Sequence, residues 1–140
     1  EQEVCVKCLI VEDDFISRRI LKEHLSSYFD CDIAVNGEEA VTSFRLAHEG
    51  KHPYDLICMD IMMPGVNGIE ALRRIRELEK GMEIPQNLEV RVIMLTALDD
   101  PHTVFQSFYR VGATAYIVKP LSRQKLVNEL MQLGLIKNNP

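Results

Sequence analysis

Four short apolar runs punctuate the chain: Cys8-Leu9-Ile10-Val11, Leu56-Ile57-Cys58-Met59, Val92-Ile93-Met94-Leu95 and Ala115-Tyr116-Ile117-Val118. A brief continuous apolar run bounded by polar positions is the pattern of a parallel strand buried on both faces. Cys31 to Val35 reads as one further, shorter strand, the second in chain order. Between the strands the period changes to that of a helix. Ile16, Ile20, Leu21, Leu25 and Tyr28 predict a first helix over 16–29. Ala40, Val41, Phe44 and Ala47 share one face of a second over 38–48, which Asn36-Gly37 precedes and Gly50 stops. Ile69, Leu72, Ile75 and Leu78 mark a third after the Pro64-Gly65 and Gly68 loop. Val104, Phe105, Phe108 and Val111 mark a fourth, which Asp99-Asp100-Pro101 opens and Gly112 ends. The fifth runs from its cap at Ser122 to about Leu133. Strands alternating with helices predict an α/β, doubly wound parallel sheet with helices on both faces. The whole of 1–140 reads as one domain with its core over about 6–133. Residues 80–89 (KGMEIPQNLE) are expected to form a mobile surface loop, and the tail from Lys137 to fray.

The strand ends carry the chemistry. In an open α/β sheet the ends of parallel strands point into one crevice, where ligands bind. The residues that directly follow the four apolar runs are Glu12-Asp13-Asp14, Asp60, Thr96 and Lys119-Pro120. Taken singly, each has a plain explanation: a helix cap at Asp13 or Asp14, a loop acid at Asp60, a cap at Thr96, a turn lysine at Lys119. Capping accounts for one aspartate but not for two plus a third on a separate strand. Clustered carboxylates repel one another, and a hard cation such as Mg²⁺ or Mn²⁺ relieves that repulsion. With a hydroxyl and an ammonium beside them, the set suits phosphoryl transfer to an aspartate nucleophile. Asp60, alone at its strand end, is the nucleophile candidate. The paired acids Asp13 and Asp14 are the metal-ligand candidates.

Composition narrows this picture by exclusion. A formal net charge of -5 does not favour nucleic acid or an anionic membrane as a partner. No apolar run is long enough to span a bilayer, and Glu1-Gln2-Glu3 lacks the features of a secretory signal, so a cytoplasmic protein is the expectation. Cys5 and Cys8 form a C-x-x-C, but residues three apart on a strand face opposite sides of the sheet. Cys58 reads as a small buried hydrophobe. His24, His48, His52 and His102 have no ligand spacing. Arg18, Arg19 and Lys22 form either a solvated helix face or a docking surface.

In its motifs the chain resembles the receiver domain of two-component response regulators. The matching segments are Val11-Glu12-Asp13-Asp14, Met59-Asp60-Ile61-Met62-Met63-Pro64-Gly65, Leu95-Thr96-Ala97 and Gly112 through Pro120, and the match runs from about Val6 to Leu133. The resemblance implies a flavodoxin-like five-stranded sheet in the order 2-1-3-4-5 with five helices. It implies that Asp60 accepts a phosphoryl group from the phosphohistidine of a sensor histidine kinase or histidine phosphotransfer protein. Asp13, Asp14, Asp60 and the backbone carbonyl of Met62 would hold Mg²⁺, and Thr96 and Lys119 the phosphoryl oxygens. Tyr116 would be the switch aromatic that turns inward with Thr96, and the Lys119-Pro120 bond would be cis. Tyr109 would lie on the face through which such domains bind a downstream target or pair as phosphorylation-dependent homodimers. The resemblance supports the docking reading of Arg18, Arg19 and Lys22, for a kinase or phosphotransfer domain, and leaves it level with the solvated face.

Two features depart from the familiar pattern. The stretch between Asp60 and Thr96 is long, and Met62 and Leu98 occupy the positions that tune dephosphorylation. Neither side chain can orient water, so a long-lived phosphoaspartate is expected. The reading is therefore a signalling switch rather than a turnover enzyme. The alternatives are a Mg²⁺-dependent aspartyl-phosphate hydrolase, which would need an acid where Met62 stands, and a phosphorylation-independent interaction module. No output domain is read after Leu133, so the sequence suits a receiver that stands alone or is cut from a longer protein.

Overall fold

In the computed structural model, residues 6–97 and 110–137 are described. Five strands, β1 (Lys7–Val11), β2 (Asp30–Ala34), β3 (Leu56–Asp60), β4 (Arg91–Thr96) and β5 (Ala115–Val118), form one sheet in the order β2-β1-β3-β4-β5. All four pairings are parallel. The helices are α1 (Phe15–Leu25), α2 (Gly37–Glu49), α3 (Gly68–Gly81) and α4 (Arg123–Gln132). The sequence-predicted helix over 101–111 lies outside the described residues apart from Arg110 and Val111, which are helical. Five helices were expected, and four are described in full.

Side chains alternate across a strand, so each strand feeds two cores. One face holds Leu9, Val11, Ile57, Met59, Val92 and Met94 under Ala40 and Phe44 of α2 and Leu72 and Ile75 of α3. The other holds Cys8, Ile10, Cys58, Ile93 and Leu95 under Leu21 and Leu25 of α1 and Leu126 and Leu130 of α4. Burial on both faces is why strands one, three and four read as uninterrupted apolar runs.

The expected stripe on the first helix needs correction. Leu21 and Leu25 are buried, but Ile16 is 66% exposed and Ile20 42%. The helix begins at Phe15 and turns those isoleucines toward solvent. The 80–89 segment begins inside α3, which runs to Gly81, and contains a 3-10 turn over Gln86–Leu88. It is pinned at its end, where the buried Glu79 carboxylate accepts from the Val90 N–H at 2.7 Å. Arg76 pairs with the other Glu79 oxygen at 2.7 Å and donates to the Gly112 carbonyl at 2.7 Å. This ion pair, with its carboxylate buried and its guanidinium partly so, therefore ties α3 to the starts of both β4 and β5.

Candidate active site

After Val11 the chain turns from β1 into α1 within three residues, and each of the three consecutive acids meets a different environment. Asp14 has extended backbone and its side chain accepts the Ser17 N–H at 2.9 Å, so it is the N-cap of α1. Its own N–H donates to Glu12 Oε2 at 3.2 Å. Arg18 braces the turn from α1, donating to the Glu12 carbonyl at 3.1 Å and the Asp13 carbonyl at 3.5 Å. Glu12 is left buried, 1% exposed, and Asp13 exposed.

Asp60, the last residue of β3, is 5% exposed. Its Oδ1 lies 3.4 Å from Lys119 Nζ and accepts the Met62 N–H at 3.4 Å. The same ammonium is 3.5 Å from Glu12 Oε1. Glu12, Asp13 and Asp60 each offer a carboxylate oxygen within 4.8 Å of the other two. This corrects the expected ligand pair: the structure sends Asp14 to the helix cap and puts Glu12 in the cluster beside Asp13. Thr96 closes β4 and is 1% exposed, and its carbonyl accepts the Lys119 N–H at 2.6 Å. The Lys119-Pro120 bond is cis. Behind Asp60 the chain folds back tightly, with the Gly68 N–H donating to the Ile61 carbonyl at 3.0 Å. A Cβ at Gly68 would sit 2.5 Å from the Asp60 carbonyl oxygen, so only glycine permits this approach.

Burial, and then the Asp60 carboxylate, push the Glu12 carboxyl up from 4.5 to about 7; the Asp14 N–H and the Lys119 ammonium oppose the rise. Glu12 Oε1 is buried without a hydrogen-bond donor. Hydrogen bonds from Ser17 hold Asp14 below its ordinary value. Glu12 and Asp60 face one ammonium with Asp13 beside them, which leaves a negative pocket of hard oxygen donors in which Glu12 Oε1 makes no hydrogen bond. That set fits Mg²⁺.

The other expected residues divide. Tyr116, partly buried, pairs in register with Met94 and packs on the core. The Met62 side chain is 68% exposed. Arg19 and Lys22 are exposed, while Arg18 is engaged in bracing the acidic turn. Leu98, Tyr109, His102 and Cys5 lie outside the described residues. The role of Glu12 was missed, although the helix-cap signal at Asp14, three residues before Ser17, points toward it.

A five-stranded parallel sheet with acids, a hydroxyl and a lysine at its strand ends defines a class, and the chain belongs to it. It matches the family model of the response regulator receiver domain over residues 8–131 and is a member of that family. It is 38% identical over 122 residues to the transcriptional regulatory protein ResD of Bacillus subtilis, covering 86% of this chain and 45% of ResD. Among solved structures, a chain of the CheX-CheY-BeF3-Mg²⁺ complex from Borrelia burgdorferi is similar, with 32% identity, a TM-score of 0.78, and 92% of this chain and 89% of that chain covered. Another is in the complex of the Saccharomyces cerevisiae histidine phosphotransfer protein Ypd1 with the receiver domain of Ssk1 (27% identity, TM-score 0.78, 96% and 94% covered). The chain spans about half the length of the first curated relatives it matches, 45%, 50% and 54%. Among the described residues no helix is long and apolar enough to cross a membrane.

Proposed function

We propose that this receiver domain is a phosphorylation-gated switch in which Asp60 takes a phosphoryl group from the phosphohistidine of a kinase or histidine phosphotransfer partner. The observation that carries the reading is the placement of Asp60 Oδ1 against Lys119 Nζ at 3.4 Å, beside Glu12 and Asp13. An Asp60 carboxylate oxygen attacks phosphorus, the P–N bond breaks, and the departing imidazole takes a proton from water. Bound Mg²⁺, or Mn²⁺ in its place, would offset charge on the transferring oxygens, with Glu12, Asp13, Asp60 and the Met62 carbonyl as its protein partners. Lys119 and Thr96 hold the phosphoryl oxygens. Thr96 and Lys119 are joined through the 2.6 Å backbone hydrogen bond, and Tyr116 lies on the edge strand that leads to Lys119. A shift of Thr96 toward the phosphoryl group is therefore read out at Tyr116, on a face offered to a downstream protein, an output domain or a second phosphorylated copy.

On this reading the domain has a signalling role rather than turnover, in the cytoplasm, where disulfides are transient rather than structural; Cys8, Cys31 and Cys58 are free thiols in the structure. The hydrolase alternative lacks its acid, since Met62 stands two positions after Asp60. Incubation with Mg²⁺ and acetyl phosphate tests the choice by intact mass. A stable one-phosphate adduct lost in Asp60→Asn is expected. Continuous phosphate release would favour the hydrolase, and no reaction at all a phosphorylation-independent module.

A further inference from the structure

On the α1 side of the sheet three thiols gather, away from the acids. Cys8 on β1 is the register partner of Cys31 on β2. Cys58, on β3, is in register with Ile10. The Cys31 Sγ donates to the Phe29 carbonyl at 3.7 Å. Because β2 and β3 flank β1 on opposite sides, Cys31 and Cys58 are not neighbours. Among the described residues, the one group of three mutually close ligand atoms is the acidic one. The thiols are therefore disposed as pairs and not as a metal site.

The two pairs differ in what they can form. Adjacent strands lie about 4.8 Å apart, and side chains at register-paired positions of parallel neighbours leave the same face. That spacing falls within the Cα separation of about 4.4–6.8 Å that a disulfide spans. Cys58 is displaced from Cys8 by two residues along the sheet, which puts the Cα atoms about 8 Å apart, beyond the roughly 7 Å at which bridging fails. Exposure also separates them: Cys8 and Cys58 are 0% exposed, and Cys31 is partly exposed.

We propose that Cys31 is a peroxide-reactive modification site and that Cys8 is its resolving thiol, closing a reversible disulfide across β1 and β2. The neighbouring Cys8 thiol, and then Ser26, lower the Cys31 thiol's pKa, with Lys22 adding to the effect against burial and Asp30. Burial pushes the Cys8 thiol up, so Cys31 is the more acidic of the two. A partly exposed, acidified thiol beside a cation is the environment of a reactive cysteine. The Cys31 thiolate attacks the O–O bond of hydrogen peroxide; the departing hydroxide takes the proton released by Cys31, and a sulfenic acid remains. Cys8 sulfur then attacks Cys31 sulfur, the S–O bond breaks, and the hydroxyl leaves as water with the Cys8 proton. Two thiols lose two electrons and one peroxide becomes two waters. Cys8 precedes Glu12 by four residues, about 13 Å along an extended chain, so the step needs nothing from the phosphoryl site.

The test is treatment of the full chain with hydrogen peroxide, a catalase quench, and mass mapping under non-reducing conditions. The expected result is a loss of two hydrogens per chain, restored by dithiothreitol, with the Cys8 and Cys31 peptides joined. Cys8→Ala should convert the product into a Cys31 sulfenic acid captured by dimedone, and Cys31→Ser should abolish both. If Cys8→Ala does not fold, the wild-type map alone decides. A Cys5–Cys8 or Cys8–Cys58 link, dimedone labelling of Cys58 equal to that of Cys31, or an unchanged mass overturns the proposal.

Discussion

Glu12→Gln isolates the electrostatic tension of the pocket. The Glu12 carboxyl is raised to about 7, chiefly by burial and then by Asp60, whereas an unfolded glutamate titrates near 4.5. Between those two values the folded chain holds a proton that the unfolded chain has released, so stability falls as pH rises through that window. The shift corresponds to about 3 kcal/mol when complete. The substituted amide keeps the shape and the acceptor for the Asp14 N–H but cannot ionise. The two proteins should be nearly equal in stability near pH 4.5. Above pH 7 the variant should be more stable by up to about 3 kcal/mol. Urea unfolding followed by far-UV circular dichroism, with a chelator present and at closely spaced pH, measures the difference. Added Mg²⁺ should narrow it at high pH, because a cation stabilises the ionised carboxylate and the folded state that holds it. A difference that stays flat across the window, or a wild type that gains on the variant as pH rises, would refute the electrostatic reasoning.

The remaining predictions concern neighbouring parts of the framework. Asp14→Ala should lower stability by removing the α1 cap while leaving Mg²⁺ affinity intact; Asp13→Ala should do the reverse, both read by melting curves with and without Mg²⁺. Gly68→Ala forces a Cβ against the Asp60 carbonyl and should cost about 2 kcal/mol, with weakened Mg²⁺ binding measured by titration. Glu79→Ala strands Arg76 and the Val90 N–H, so urea unfolding should show a loss of about 3 kcal/mol. With Met62 unable to orient water, the purified phosphoaspartate should decay slowly by mass spectrometry, and a lifetime of only seconds would count against this.

The apolar runs made the sheet legible because strands covered on both faces cannot hide their hydrophobicity. The crevice was legible for the same reason, since whatever follows such a strand stands at its end. Less was recoverable within Glu12-Asp13-Asp14, where adjacent acids look alike and only the local turn decides which caps and which is buried. Ile16 and Ile20 failed similarly: they fit the helical period, but the start of α1 and its rotation against the sheet sent them outward. The Cys8–Cys31 pairing was invisible, because the register of β1 on β2 is a tertiary fact.

The Arg76–Glu79 pair has a consequence for how the pocket is aligned. It fastens one helix to the beginning of β4 at Val90 and to the approach to β5 at Gly112. Those are the two strands whose far ends present Thr96 and Lys119. The helix thus acts as a common ruler, setting how far each strand reaches before its polar residue appears. A slip of α3 along its axis would move hydroxyl and ammonium together, preserving their spacing while changing their distance from Asp60.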